Sequence, residues 1–368
     1  MGSARDSLTP IGGGWLGADL AADPSRWRLE LPSAVRDELM ALADKRAGRA
    51  PALDDTAPKV SRATAEFVSR LRDMLTSGCH FALVSGFPYE PMPTAQDAYW
   101  LLGLLLGEPL SQTPESILIG PIEEYLSRDR NRRNWEASNA LPFHTDTADL
   151  VLMLCIRSAP FGGLSQLASA RTAHDLMLAE APDLLAELYR PFPQAPGRAI
   201  AGRPWTEIPV FAVAANGDFA MRHVRWHVEK SQRNTNAPRL TARQIEAMDT
   251  LDEILGRPGI ALDMDMQAGD LQLFHNSEIV HARTEFTGTP SGLGRLLLRI
   301  WLSFAESPEL TADYQQLFGA TAAGSFRGGV WPTGFIPPRL GLPVHGGSPS
   351  RAENERISGS TSPKITAM

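Results

Sequence analysis

One histidine and one aspartate are separated by a single residue in the run Phe143-His144-Thr145-Asp146. In an extended strand, residues i and i+2 point to the same side. An imidazole nitrogen of His144 and a carboxylate oxygen of Asp146 could therefore reach one metal ion. Because a His-x-Asp pair often arises by chance, the pair predicts a metal site only if a third ligand comes from elsewhere in the chain.

The third ligand would have to be a distant histidine on a facing strand, pointing to the inner wall of a β barrel. His275 and His281 flank a predicted hairpin, whose strand-like runs cover residues 269–274 and 279–281. Two histidines and one carboxylate on one face leave adjacent coordination positions open, as in the facial triad of non-haem Fe(II) oxygenases. The candidates for the third ligand are His174, His223, His227, His275 and His281.

Two arginines lie four residues apart in the run Arg295-Leu296-Leu297-Leu298-Arg299. If this run is a strand, Arg295 and Arg299 face the same side. Burying a guanidinium without a partner is costly, so each arginine predicts a charge-assisted contact to an anion. That anion is either a bound carboxylate, which would be functional, or an Asp or Glu of the chain, which would be structural.

The composition is that of an ordinary globular chain. Of the 368 residues, 43% are hydrophobic and 21% are charged, which excludes wholesale disorder and collagen-like or coiled-coil chains. A formal charge of −7 makes non-specific binding to nucleic acid or to an anionic membrane unfavourable. Cys79 and Cys155 lie in apolar runs, which predicts buried thiols and not a disulfide framework or a cysteine-based zinc site.

No segment has the features of export or membrane insertion. Residues 1–10 carry charge and lack an apolar signal core, and no apolar run approaches the roughly 18 residues that a transmembrane helix needs. We therefore expect a cytoplasmic protein without a nucleic-acid or membrane partner. The oligomeric state stays open.

Periodicity and turn residues predict an α+β fold that is mainly β. Helices are expected at 33–46, 61–76 and 95–106, and helical insertions near 172–190 and 241–255. Asn216-Gly217 is a strong hairpin signal,. About eight short strands with two helical insertions favour a double-stranded β-helix, or jelly roll, with flanking helices. The predicted strands lie at 78–88, 150–156, 164–170, 208–214, 219–222, 261–266, 271–274, 279–281 and 295–304.

One domain is expected over residues 1–340. Its β-helix core spans about 75–330 and follows an N-terminal helical extension, 1–75. Residues 341–368 are rich in Ser, Gly, Pro and charge, which predicts a disordered tail. Inserted lid segments are expected near 112–140 and 215–245. The first contains a basic cluster that predicts either a solvated face or a substrate lid: Arg128, Arg130, Arg132 and Arg133.

Taken together and in this order, the motifs make the chain resemble the TauD/TfdA (taurine dioxygenase-like) superfamily of Fe(II)/2-oxoglutarate-dependent oxygenases, and within it the clavaminate-synthase-like branch. The resemblance covers about residues 75–330. The motifs are Phe-His-Thr-Asp at 143–146, Gly-Gly-Leu-Ser at 162–165, Gly-Asp at 269–270, His-Ala-Arg-Thr-Glu-Phe at 281–286 and Arg-Leu-Leu-Leu-Arg-Ile-Trp at 295–301.

The resemblance assigns roles to individual residues. It implies His144, Asp146 and His281 as iron ligands, and Arg295 as the partner of the distal carboxylate of 2-oxoglutarate, with help from the Ser165 hydroxyl. Residues expected near the substrate are Arg299, Arg222 and His223, with Arg225 as a further candidate. His275 is expected to be a turn or supporting residue, with a role as third metal ligand as the alternative, and His80 to be packed or hydrogen-bonded.

The resemblance implies a dioxygenase that uses Fe(II), 2-oxoglutarate and O₂ to hydroxylate an unactivated C–H bond. The substrate is expected to be a small anionic or zwitterionic molecule of specialised, natural-product metabolism. Desaturation, ring closure and epoxidation stay open, whereas halogenation is disfavoured because Asp146 is present. The alternative is a metal-free jelly-roll binding protein. A cupin-type oxygenase or a zinc hydrolase fits less well, because the paired arginines have no role in the former and no general base stands out for the latter.

Overall fold

The computed structural model describes residues 8–123, 140–195, 204–287 and 294–345. The helices in this part of the chain are α1 (Gly17–Ala22), α2 (Ser33–Arg46), α3 (Arg62–Thr76), α4 (Met92–Leu106), α5 (Ala170–Glu180), α6 (Pro182–Leu188), α7 (Arg225–Ser231), α8 (Ala242–Leu255) and α9 (Gln315–Phe318). None of these helices is long and apolar enough to cross a membrane.

The strands are short and are distributed over most of the described residues. They are β1 (Arg28–Glu30), β2 (Phe81–Ser85), β3 (Glu108–Leu110), β4 (Ile119–Glu123), β5 (Leu141–His144), β6 (Leu150–Arg157), β7 (Phe161–Gly162), β8 (Ser165–Ser169), β9 (Phe192–Gln194), β10 (Thr206–Ile208), β11 (Phe211–Val213), β12 (Phe219–Met221), β13 (Leu262–Met264), β14 (Leu271–His275), β15 (Ile279–Arg283), β16 (Phe286–Thr287) and β17 (Leu296–Ser303).

Two sheets form the core. The major sheet has the order β1-β2-β14-β6-β17-β3, with β4 also pairing with β17, and the minor sheet has the order β13-β8-β15-β5. Every pairing in the two sheets is antiparallel except that of β1 with β2. Apolar residues of both sheets form one shared core cluster, so the sheets pack face to face.

The long strands β6 and β17 are apolar almost throughout because both of their faces are buried. In β17, Leu298 and Ile300 join the cluster formed with α2, α3 and α4, whereas Leu297 and Trp301 join the cluster between the sheets. In β6, the even-numbered residues likewise join the cluster with the helices, and the odd-numbered residues join the cluster between the sheets. Successive side chains of a strand point to opposite faces, so the odd-numbered residues of β17 point toward the minor sheet.

The minor sheet is covered on its outer face by helices. Ala168 of β8 and Val280 of β15 join a third apolar cluster with residues of α5, α6 and α8. His281, next to Val280, therefore points inward. The molecule is thus a helix layer, two facing sheets and a second helix layer, and polar side chains between the sheets are shielded from solvent.

The sequence located most elements within a few residues. Helix α3 begins at Arg62, and the Ser61 hydroxyl before it accepts a hydrogen bond from the Thr64 amide. Helix α2 has the predicted bounds, with Ser33 as its first residue and Pro32 before it. The Asn216-Gly217 turn joins the antiparallel pair β11–β12, with Gly217 at φ +92°.

The predicted lids and tail fall partly outside the described residues. Residues 124–139, which contain the basic cluster at 128–133, are not described, and a lid role for 112–140 and for 215–245 remains a prediction. Of the predicted tail 341–368, residues 341–345 are described. Val344 is buried, and the Phe326 amide donates to the Leu342 carbonyl. The described chain thus packs onto the body as far as His345.

Candidate active site

Three metal-ligand side chains converge between the two sheets. Ligand atoms of His144, Asp146 and His281 all lie within 4.8 Å of one another, and all three residues are buried. His144 ends β5 and His281 lies directly opposite it in β15, with ring centroids 4.0 Å apart. Cross-strand pairing therefore supplies the third ligand, whose Nε2 is 3.9 Å from Asp146 Oδ2.

The His144 ring is oriented by a hydrogen bond. Its Nδ1 lies 2.9 Å from the Pro142 carbonyl, which can only accept, so Nδ1 carries the proton and Nε2 keeps a free lone pair. Trp226, near the start of α7, packs against this ring with centroids 5.0 Å apart. A backbone carbonyl and an indole thus fix the orientation in which His144 presents Nε2.

Two donors hold the Asp146 carboxylate. Arg299 Nη1 and Trp301 Nε1 donate to the same oxygen, Oδ2, at 3.0 and 2.8 Å. Gln112 holds Arg299 in turn, because its Oε1 accepts from Arg299 Nε at 2.8 Å. These contacts fix the orientation of the Asp146 carboxylate beside the two histidines.

The backbone at Asp146 is held by one side-chain amide. The Asn276 Oδ1 accepts from the Asp146 amide at 2.9 Å, and Nδ2 donates to the carbonyls of Asp146 and Ala148 at 2.8 Å each. Asn276 lies in the turn between β14 and β15. The predicted hairpin is instead a connection between the sheets, because β14 pairs within the major sheet and β15 within the minor one. The turn that leads to His281 therefore also positions the carboxylate ligand.

The protonation states suit a divalent cation. Burial lowers the pKa of His144 to about 4, although the charge of Asp146 opposes the shift, and burial together with His144 lowers the pKa of His281 well below its usual value. Burial alone would raise the pKa of Asp146, but the charges of Arg299, His281 and His144 lower it to about 2. At neutral pH the set is two neutral imidazoles and one carboxylate, the forms that ligate metals.

Arg295 precedes β17 and is 6% exposed. It forms no ion pair with any described residue, and burial together with the charge of Arg283 lowers its pKa to about 10. Its side chain lies against Gly163, since a Cβ built on that glycine would come within 3.3 Å of Arg295 Cδ. Because the buried guanidinium groups of Arg295 and Arg283 repel each other, binding of an anion beside Arg295 is favoured.

Sequence reasoning missed Arg283 as a neighbour of Arg295. Arg283 lies two residues after His281 in β15, is 6% exposed and stacks on the Phe286 ring at 4.7 Å. The signal was present in the sequence, because residues i and i+2 of a strand share a face. Gln112, Trp301 and Asn276 were also missed, and of these only Trp301, two residues from Arg299, had such a signal.

Ser165 lies on the same face of the minor sheet. It is directly opposite Arg283 in the pairing of β8 with β15, is 2% exposed, and its hydroxyl donates to Gln272 Oε1 of the major sheet at 3.1 Å. Ser165 therefore points between the sheets, at the level of Arg283. A role in holding 2-oxoglutarate stays a prediction.

The three predicted substrate residues have protein partners. Arg299 contacts Asp146 as described. Arg222 is 2% exposed and donates to the carbonyls of Thr145 and Asp146, both at 2.7 Å. His223 Nε2 lies 2.7 Å from Asp252 Oδ1 of α8. Arg222 thus supports the loop that carries the carboxylate ligand, and substrate contact by any of the three remains a prediction.

His275 is not part of the His144–Asp146–His281 cluster. It ends β14, is 5% exposed, and its ring packs against those of His80 and Phe304. His281, not His275, thus brings its ligand atoms to the cluster.

A comparison with protein-family models shows the family to which the chain belongs. The model described as "Taurine catabolism dioxygenase TauD, TfdA family" matches residues 47–301. The chain belongs to the TauD/TfdA family. This confirms the resemblance that the motifs indicated, and with it the jelly-roll core. This member of the family is an Fe(II)-dependent dioxygenase with 2-oxoglutarate and O₂ as co-substrates.

Two curated relatives of this chain differ in how much of each sequence aligns with it. FR-33289 synthase of Streptomyces rubellomurinus is 27% identical over 297 residues, which is 76% of this chain and 86% of the relative. The taurine hydroxylase-like protein SAT17 of Stachybotrys chartarum is 26% identical over 204 residues, 48% of this chain and 47% of the relative. Only the first similarity extends over most of both chains.

Solved structures share the fold. Asparagine oxygenase, in complex with Fe(II), 2S,3S-3-hydroxyasparagine and succinate, superposes with a TM-score of 0.60 at 20% identity, covering 78% of this chain and 98% of that one. The non-heme iron oxygenase OrfP, in complex with Fe and alpha-ketoglutaric acid, has a TM-score of 0.55 at 19% identity, covering 75% and 93%. At these identities the likeness concerns the fold.

Proposed function

We propose that this dioxygenase hydroxylates an unactivated C–H bond of a small zwitterionic or anionic molecule in natural-product metabolism. The observation that carries the proposal is the convergence of three ligand side chains between two sheets that also bury Arg283 and Arg295. Two imidazoles and one carboxylate leave three adjacent coordination positions for a chelating co-substrate and O₂. The metal-free binding protein is not favoured, because the donor set and its protonation states are those of a metal centre.

His144, Asp146 and His281 would hold Fe(II), and the iron would supply O₂ activation once 2-oxoglutarate is bound. Arg295 would bind the distal carboxylate of the co-substrate. The Ser165 hydroxyl would join it by turning away from Gln272 Oε1, to which it donates in the structure. A buried guanidinium binds a carboxylate strongly because no water competes for its donors. Arg283 adds positive charge next to Arg295 and strengthens the preference for a dianionic co-substrate.

The remaining residues would orient the ligands. Arg299, Trp301 and Asn276 fix the carboxylate and backbone of Asp146, and the Pro142 carbonyl fixes the His144 tautomer. Trp226, near the start of α7, would hold the His144 ring in place by packing against it. Fixed ligands and a dry pocket are what a protein contributes to cofactor-based oxidation.

The substrate class is supported by the relatives. FR-33289 synthase is a relative over most of its length, and the solved neighbours were crystallised with hydroxyasparagine and with (3S)-hydroxy-L-Arg. Those ligands are hydroxylated amino acids. By analogy, we propose an amino acid derivative or a related small anionic metabolite as the substrate.

The test is succinate release from anaerobically Fe(II)-loaded protein after addition of 2-oxoglutarate and O₂. It is run without and with a panel of amino acids, carboxylates and nucleotides. We expect slow turnover without substrate, stimulation by one substrate class, and no turnover in Asp146→Ala. Product mass then distinguishes hydroxylation from desaturation. Absence of both turnover and a 2-oxoglutarate-dependent visible absorption band would refute the proposal.

A further inference from the structure

A second group of metal-ligand side chains lies around the turn that joins β14 to β15. Ligand atoms of His80, His275 and Glu278 are all within 4.8 Å of one another. None of these residues belongs to the His144–Asp146–His281 cluster. The donor set is again two imidazoles and one carboxylate, which suits divalent zinc, cobalt or nickel.

His275 carries the strongest indication. The residue is 5% exposed, and its Nε2 is buried without a hydrogen-bond partner among the described residues. Its other nitrogen, Nδ1, lies 3.4 Å from the Ser277 hydroxyl. A buried polar atom without a partner is costly, and native structures rarely leave one unexplained. A metal ion bound at Nε2 would remove this cost.

His80 provides the second imidazole and a route to solvent. Its Nδ1 lies 3.1 Å from the Leu75 carbonyl, so Nδ1 carries the proton and Nε2 keeps its lone pair. The His80 carbonyl accepts from the His275 amide at 2.9 Å, which brings the two residues together although they are far apart in the chain. His80 is only half-buried, so an ion could enter beside it.

Glu278 provides the carboxylate and is already held in place. It is 5% exposed, and Arg171 donates to both of its oxygens at 2.7 Å. An ionised carboxylate has about four lone-pair sites, so two remain for a cation. Carboxylate ligands of metals are commonly hydrogen-bonded in this way. The Arg171–Glu278 ion pair alone would account for Glu278, but not for the unpartnered Nε2 of His275.

We propose that His80, His275 and Glu278 form a second divalent-metal site, which links the loop before β2 to the turn between β14 and β15. The site goes beyond the dioxygenase function and does not depend on it. Since the ion would bind only the folded protein, occupancy would stabilise the fold by linkage.

The test uses Zn²⁺ as the probe, with the full-length chain stripped of metal. Zinc stoichiometry is measured by calorimetry and by elemental analysis after desalting. We expect two equivalents in the wild type, and one equivalent in a His144→Ala/His281→Ala variant that lacks the first cluster. In that variant, Zn²⁺ should also raise the melting temperature.

His80→Asn is the diagnostic variant. His80 has φ +63°, a left-handed conformation that Asn tolerates well, so the substitution removes the imidazole without forcing the backbone. Added to the double variant, it should abolish both zinc binding and the zinc-dependent rise in melting temperature. The matched control is His345→Asn at an exposed histidine, which should leave both unchanged.

Two results would overturn the proposal. One is a wild-type stoichiometry of one equivalent that falls to none in His144→Ala/His281→Ala. The other is a second equivalent of zinc that still binds after His80→Asn, and that still binds in a separate His275→Asn variant shown to be folded. Neither result bears on dioxygenase activity, which is measured separately by succinate release.

Discussion

Arg299 Nη1 lies 3.0 Å from Asp146 Oδ2, and both side chains are 9% exposed. The guanidinium of a strand in the major sheet thus neutralises the carboxylate that completes the candidate iron site. Because Gln112 and Trp301 share in the contact, the carboxylate is fixed before any metal arrives. The relationship also makes Arg299 a positioning residue for the metal centre.

Replacing Arg299 by Gln should therefore destabilise the metal-free protein more than the iron-loaded one. Removing one partner of a buried ion pair costs about 3–5 kcal/mol, and Fe(II) would supply the missing positive charge. Denaturant unfolding under anaerobic conditions, with and without Fe(II), measures the difference. Arg299→Lys, which keeps the charge, is the control. An equal loss with and without iron, accompanied by a raised KM for substrate, would indicate instead that Arg299 binds substrate.

His281→Ala should abolish iron binding at the catalytic centre, whereas His275→Ala should leave it intact. Only His281 faces His144 across the β5–β15 pairing. The visible band that appears when 2-oxoglutarate chelates Fe(II) reports on this centre alone and is the appropriate measurement. The reverse pattern would contradict the ligand assignment.

Arg295→Gln should weaken 2-oxoglutarate binding. Loss of a buried charge partner costs about 2–5 kcal/mol, which corresponds to about 30- to 4,000-fold in affinity. Calorimetric titration of the iron-loaded protein under anaerobic conditions gives the value. Arg257→Gln, which removes a partly exposed arginine paired with Glu180 and Glu253, should bind 2-oxoglutarate as the wild type does. Unchanged affinity in Arg295→Gln would exclude the assigned role.

Asn276→Ala should lower metal affinity although Asn276 is not a ligand. The substitution removes three hydrogen bonds that hold the backbone at Asp146 and Ala148. Loss of such supporting contacts typically costs 10–100-fold in metal affinity. Competition with a chelator of known affinity measures the change. Asn216→Ala, in the exposed β11–β12 turn, is the control and should keep full affinity.

The stability of the fold should decrease as the pH falls below about 6.5, in part because of His174. Burial lowers the pKa of His174, while hydrogen bonding to Asp175 opposes the shift. The unfolded chain therefore takes up a proton that the native protein resists, and stability falls by up to about 1.4 kcal/mol per pH unit for this residue. Free energies of unfolding at pH 7.5 to 5.5 should depend less on pH in His174→Gln than in the wild type. His345→Gln should match the wild-type slope, and equal slopes in all three proteins would contradict the prediction.

The sequence predicted the features that depend on local periodicity. His144 and Asp146 were paired by strand alternation, and the apolar strands at 150–156 and 295–304 followed from their composition. The alternation also predicted that Arg295 and Arg299 share a face. It left the partner of each arginine open, because the partner depends on which strands are neighbours in space.

Contacts that depend on strand order could not be predicted. Asn276 reaches Asp146, and Gln112 reaches Arg299, only because the sheet topology brings the β14–β15 turn and the segment after β3 next to the site. The juxtaposition of His80 and His275 follows from the same cause. His80 was expected to be packed or hydrogen-bonded, and its Nδ1 is hydrogen-bonded. Its proximity to a second histidine had no signal in the sequence.

The division of β17 into two buried faces has a consequence for how such an enzyme can diversify. Odd-numbered residues pack between the two sheets, where Arg299 and Trp301 also hold Asp146, whereas even-numbered ones meet the helices. Substitutions at the odd positions would therefore change the metal centre and the core between the sheets together. Substitutions at the even positions would change the packing of the helix layer and leave the Asp146 contacts in place. Adjacent codons of one strand thus affect two separate properties, the metal centre and the packing of the helices.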